Sequence, residues 1–81
     1  MAALPVGCFL ACYDYGMGGL WWVIRAASSA HIERVAPALT VFDAVPDWMD
    51  LFQWDLIMGR GVQDIANPTD PVLVMVIAEP S

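Results

Sequence analysis

Val6-Gly7-Cys8-Phe9-Leu10-Ala11-Cys12-Tyr13-Asp14-Tyr15-Gly16-Met17-Gly18-Gly19-Leu20-Trp21-Trp22-Val23-Ile24-Arg25-Ala26 is the stretch that decides the fold. Val6–Tyr13 and Leu20–Ala26 are apolar runs of strand length, and Asp14–Gly19 between them is a Gly-rich turn signal. Two such runs joined by such a segment read as a β-hairpin. The glycines do not form a dinucleotide fingerprint, because Trp21 stands where the third glycine is needed and the segment runs into a strand instead of a helix.

Downstream of the hairpin, Ser28 and Ser29 offer capping oxygens to a short helix over Ala30–Ala36, which Pro37 ends. Leu39–Val45 reads as a third strand. Pro46 and Asp47 open a second helix that runs through Met58, and Gly59 and Gly61 close it. Val62–Pro71, punctuated by Asn67-Pro68 and Asp70-Pro71, reads as a loop, and Val72–Ala78 as the last strand. The order ββαβαβ predicts one α+β domain over residues 1–81, with a small, mostly antiparallel four-stranded sheet and two helices on one face.

The composition is apolar for so short a chain: 59% of the 81 residues are hydrophobic and 15% are charged, against roughly 45–50% and 25% in ordinary soluble domains. One small core cannot hide that much apolar surface, so part of it is expected to face a partner or a second copy. A membrane is not the expected partner, since no run approaches the roughly 20 apolar residues of a spanning helix. Met1–Leu4 has no basic region of the kind that begins a secretory signal, and a cytoplasmic location is expected. Cys8 and Cys12, four apart on one strand, would lie about 13 Å apart and out of disulfide reach. They are expected to be buried, reduced hydrophobes. With His31 the only histidine, no zinc site and no cofactor are expected.

Charge is segregated along the chain, whose net value is −6. Residues 1–42 balance Asp14 and Glu33 against Arg25 and Arg34. Residues 43–81 set Asp43, Asp47, Asp50, Asp55, Asp64, Asp70 and Glu79 against Arg60 alone. A one-sided negative field attracts basic partners and repels phosphates. Three arginines and no lysine also argue against direct nucleic-acid binding. On the second helix, Trp48, Met49, Phe52 and Leu56 fall in one arc and are expected to pack on the sheet. Leu51, Trp54 and Met58 fall in another, bordered by Asp50, Gln53 and Asp55, and are expected to form an exposed contact stripe. The predicted partner-binding set is therefore Asp43, Asp47, Asp50, Asp55 and Asp64 with Leu51, Trp54 and Met58.

Catalysis finds little support in the sequence. A nucleophile needs an adjacent base, and His31 sits in the first turn of a short helix, where a capping or surface role is expected. Asp47 and Asp50 begin a helix, where the ionised form is favoured, which opposes the raised pKa of a general acid.

Tyr13-Asp14-Tyr15-Gly16-Met17-Gly18-Gly19 with Trp21 resembles a turn pattern of short uncharacterised bacterial proteins and implies no activity. In size, acidity and apolar excess the chain is similar to small phage-encoded inhibitors of the anti-CRISPR type and to nuclease immunity proteins. That resemblance implies a non-enzymatic inhibitor whose aspartates occupy the nucleic-acid site of a basic protein or ribonucleoprotein complex. The alternative is a homodimeric structural or small-ligand-binding domain.

Overall fold

The computed structural model describes residues 3–16 and 18–79; Met17, in the predicted turn, lies outside them, as do Met1 and Ala2. The predicted hairpin forms as β1 (Cys8–Asp14) and β2 (Gly19–Arg25), antiparallel from Cys8↔Arg25 to Asp14↔Gly19. Its turn is closed by Tyr15 N–H donating to the Gly18 carbonyl at 3.2 Å and by Gly16 N–H donating to Asp14 Oδ1 at 2.8 Å. The first helix, α1 (Ser29–Val35), begins at Ser28, whose Oγ accepts from His31 N–H at 3.1 Å. The third strand, β3 (Thr40–Phe42), is shorter than expected, pairing antiparallel only with Leu10, Ala11 and Cys12. After Phe42 the chain bends away through a turn in which Met49 N–H donates to the Pro46 carbonyl.

The second helix, α2 (Leu51–Gly59), starts one turn later than predicted because Asp50, not Asp47, is the cap. Its Oδ1 accepts from Gln53 N–H at 2.7 Å. Gly61, at φ +84°, turns the chain out of this helix, in a region that L side chains avoid. The expected loop contains the last strand, β4 (Val62–Asp64), which runs parallel to β2 and completes the sheet order β3-β1-β2-β4.

Val72–Ala78, expected as the last strand, is instead part of a third helix, α3 (Pro71–Ala78). Asp70 caps it, accepting from Val72 and Leu73 N–H, and Pro71 sits in the first turn with its φ already set for a helix. Gln63 on β4 holds the approach, its Oε1 accepting from Thr69 N–H at 2.8 Å and Asp70 N–H at 3.1 Å. Local start signals and the burial of Leu73 and Val76 against the sheet outweigh the strand preference of a valine-rich run.

The domain is α+β with a four-stranded, mostly antiparallel sheet, as predicted, but it carries three helices, and they cover both faces. On one face Ile32 and Ala36, from α1 and its C-cap, and Leu73 and Val76 of α3 pack on Ala11, Trp22 and Ile24. On the other, Met49 and α2 residues Trp54 and Ile57 pack on Cys8, Leu10 and Val23. The reason is that β1 and β2 are apolar at both odd and even positions, and a strand of that kind must be covered twice. Cys8 and Cys12 are free and buried, as expected. Burial, and then the nearby Asp14 charge, push the Cys12 thiol up.

Candidate functional site: the outer face of α2

Two helical faces were assigned from the sequence, and the structure exchanges them. Trp54 is 7% exposed and Ile57 4%, with Met58 partly buried beside them; these residues form the inner face. The expected contact stripe of Leu51, Trp54 and Met58 is therefore broken, with only Leu51 out in solvent. Conversely Trp48, Phe52 and Leu56, expected in the core, are 66%, 74% and 59% exposed. Of that arc only Met49 is buried. Periodicity could not orient this helix because apolar side chains lie all round it, with almost no amphipathic bias.

The outcome is a set of exposed apolar side chains on and just ahead of α2. Phe52 and Leu56 lie one turn apart on α2 with Leu51 beside Phe52, and Trp48 stands two residues ahead of the Asp50 cap. Trp48 is held while exposed: its ring lies edge-on to Trp21 at 5.7 Å, and Trp21 in turn packs on Phe42 at 5.7 Å. An aromatic fixed in this way loses little freedom on meeting a partner. Leu56 joins the surface to a groove of about 400 Å3 between α2 and β2, lined also by Leu20, Trp21, Gln53, Ile57 and Arg60. Arg60 Nη2 donates to the Trp21 carbonyl.

Along residues 43–55, Asp43, Asp47, Asp50 and Asp55 are all exposed; residues 35–59 contain no lysine or arginine, and Arg60 lines the adjoining groove. Asp50 is engaged at the helix cap. Asp64, predicted with this group, ends β4 and uses its Oδ1 to accept from Ala66 N–H at 2.9 Å, a turn contact. The segment thus combines exposed aromatics with exposed aspartates.

His31 donates its backbone N–H to the Ser28 cap, and its Nδ1 lies 3.4 Å from Arg34 Nη2. Among the described residues no group of three His, Cys, Asp or Glu side chains could hold a metal ion, and no helix is long and apolar enough to cross a membrane. Comparison with protein families, with curated proteins and with solved structures gives no match.

Proposed function

We propose that this chain is a non-enzymatic inhibitor that binds a basic nucleic-acid-handling protein in the cytoplasm, in the manner of an anti-CRISPR or nuclease inhibitor. The observation that carries the reading is the outer face of α2, where Trp48, Leu51, Phe52 and Leu56 stand exposed on a segment that also exposes four aspartates. A helix presenting Phe52 and Leu56 one turn apart, with Trp48 fixed just ahead of its cap, suits an apolar groove, and four carboxylates without a cation among residues 35–59 suit a groove with a basic rim. Grooves of that charge are where proteins hold phosphate backbones, so an occupant of this kind excludes nucleic acid.

The test begins with tagged chain used to capture its partner from the host. The captured protein is then assayed for nucleic-acid binding with and without the chain. A basic partner that loses nucleic acid as wild-type chain is added, but not as Phe52→Asp is added, supports the reading. Simultaneous binding of chain and nucleic acid, or a captured partner without basic character, overturns it. Within the complex, Asp47→Asn with Asp55→Asn is expected to slow association and flatten its salt dependence, whereas Phe52→Ala speeds dissociation.

A further inference from the structure

We infer that the open edge of β2 beside α2 takes up an extended, apolar segment of another protein as an added strand. β2 covers the seven residues Gly19–Arg25, but on its outer side β4 pairs only with Val23, Ile24 and Arg25. Among the described residues no strand stands beside Gly19–Trp22 on that side. An edge of this kind presents N–H and C=O groups at strand spacing and is a template for another strand.

The hydrogen bonds at either end of β2 show which of its groups face outward. The Gly18 carbonyl accepts from Tyr15 N–H, and Ala26 N–H donates to the Gly7 carbonyl, so the even-numbered residues turn toward β1. The carbonyl of odd-numbered Arg25 accepts from Ile65 N–H, just past β4. Alternation therefore turns the N–H and C=O of Gly19 and Trp21 to the open side. There Arg60 Nη2 donates to the Trp21 carbonyl, so a side chain holds the place that a neighbouring strand's N–H would take.

The groove of about 400 Å3 between α2 and β2 runs along this edge. Leu20 packs with the cluster on the α1 and α3 side of the sheet and Trp21 with the cluster on the α2 side. A groove lined by both opens on the edge of the strand and not on a face. Its geometry selects the occupant. Four residues of strand span about 13 Å; outward N–H and C=O groups match a peptide main chain, and walls of Leu20, Trp21, Leu56 and Ile57 match apolar side chains on alternate residues. A single extended chain fits between β2 and α2. The same edge of a second copy, walled by that copy's own α2, does not.

This inference does not rest on the inhibitor reading, and its test needs no nucleic-acid-handling partner. Random peptides of about seven residues displayed on phage are selected on the full chain, and the enriched ones are synthesised. They are expected to carry apolar residues at alternate positions, to bind Leu56→Asp about tenfold or more weakly and to bind Phe52→Asp as they bind the parent. Both variants should keep the parent's circular dichroism, because both side chains are exposed. N-methylation of the peptide separates strand addition from mere filling of the groove. Methyl groups on the alternate amides that face β2 should weaken binding about tenfold or more, and on the intervening amides should leave it unchanged. Bound peptide should also slow hydrogen exchange at the Gly19 and Trp21 amides. A selection that yields no peptide, binding indifferent to N-methylation at either set of amides, or peptides that lose affinity for Phe52→Asp and not for Leu56→Asp would each overturn the proposal. So would a chain of twice the monomer mass whose Gly19 and Trp21 amides are already protected before peptide is added, since the edge would then belong to a second copy.

Discussion

Phe52 and Trp54 are two residues apart on α2, and truncating them to alanine is expected to have opposite consequences. Trp54 is 7% exposed. A tryptophan buries about 150–250 Å2, and at about 25 cal/mol per Å2 its removal forfeits roughly 4–6 kcal/mol. Compactness of the denatured chain lowers that figure, which brings it into line with the about 3–5 kcal/mol measured for Phe or Trp to Ala in cores. At about 4–8 °C per kcal/mol for a domain of this size, Trp54→Ala should lower the melting temperature by more than about 12 °C or leave the chain unfolded. Phe52 is 74% exposed, so little burial is lost with it. Alanine's better helix propensity offsets a few tenths of a kcal/mol, and the net change should lie within about 0.5 kcal/mol. Thermal melts followed by far-UV circular dichroism decide the matter without relying on tryptophan emission. A Phe52→Ala variant that melts more than about 10 °C below the parent, or a Trp54→Ala variant that melts with it, would refute the assignment of the α2 faces.

Two further perturbations probe the sheet and α3. A Cβ at Gly19 would lie 2.7 Å from Cys12 Sγ and 3.3 Å from Trp21 Nε1, so Gly19→Ala should destabilise by about 1–3 kcal/mol through overpacking; urea denaturation should show part of that loss restored by adding Cys12→Ala, and no restoration would mean the clash lies elsewhere. Asp70 gives a pH signature: burial pushes its carboxyl up, but the Leu73 N–H, the Trp22 indole, the Val72 N–H and the Arg60 charge together hold it below the usual carboxylate range. Among the described residues the buried Trp22 Nε1 makes no hydrogen bond of ordinary geometry, so its effect on Asp70 is that of a nearby dipole. Because the folded value is lowered, the stability this group contributes is present above its unfolded pKa and is lost as pH falls through the folded one. Melting temperature measured from about pH 5 to pH 2 should therefore fall less for Asp70→Asn than for the parent; equal slopes would show that Asp70 does not carry the effect.

The sequence by itself determined what rests on neighbours along the chain. The hairpin, the Ser28 cap, the existence of α2 and the buried free cysteines all follow from apolar runs, turn glycines and capping side chains that act within a few residues. The concentration of charge in the second half was equally visible, since it needs only counting. Tertiary structure decided the rest. Which side of α2 faces in was settled by contact with Cys8, Leu10 and Val23, because a helix that is apolar all round has no preferred side until a sheet is placed against it. The sequence points to Trp54 as an anchor and Phe52 as core for that reason, whereas the exposed residues are Trp48, Phe52 and Leu56. The strand at Val62–Asp64 exists only through its parallel pairing with β2, which closes across 39 residues from Val23 to Val62 and leaves almost no local trace. Val72–Ala78 carried both signals at once, a β-branched composition and an Asp-Pro helix start, and the burial of Leu73 and Val76 against Trp22 and Ile24 chose the helix. Long-range burial outweighs local propensity because it is worth several kcal/mol per large side chain, where propensity is worth a few tenths.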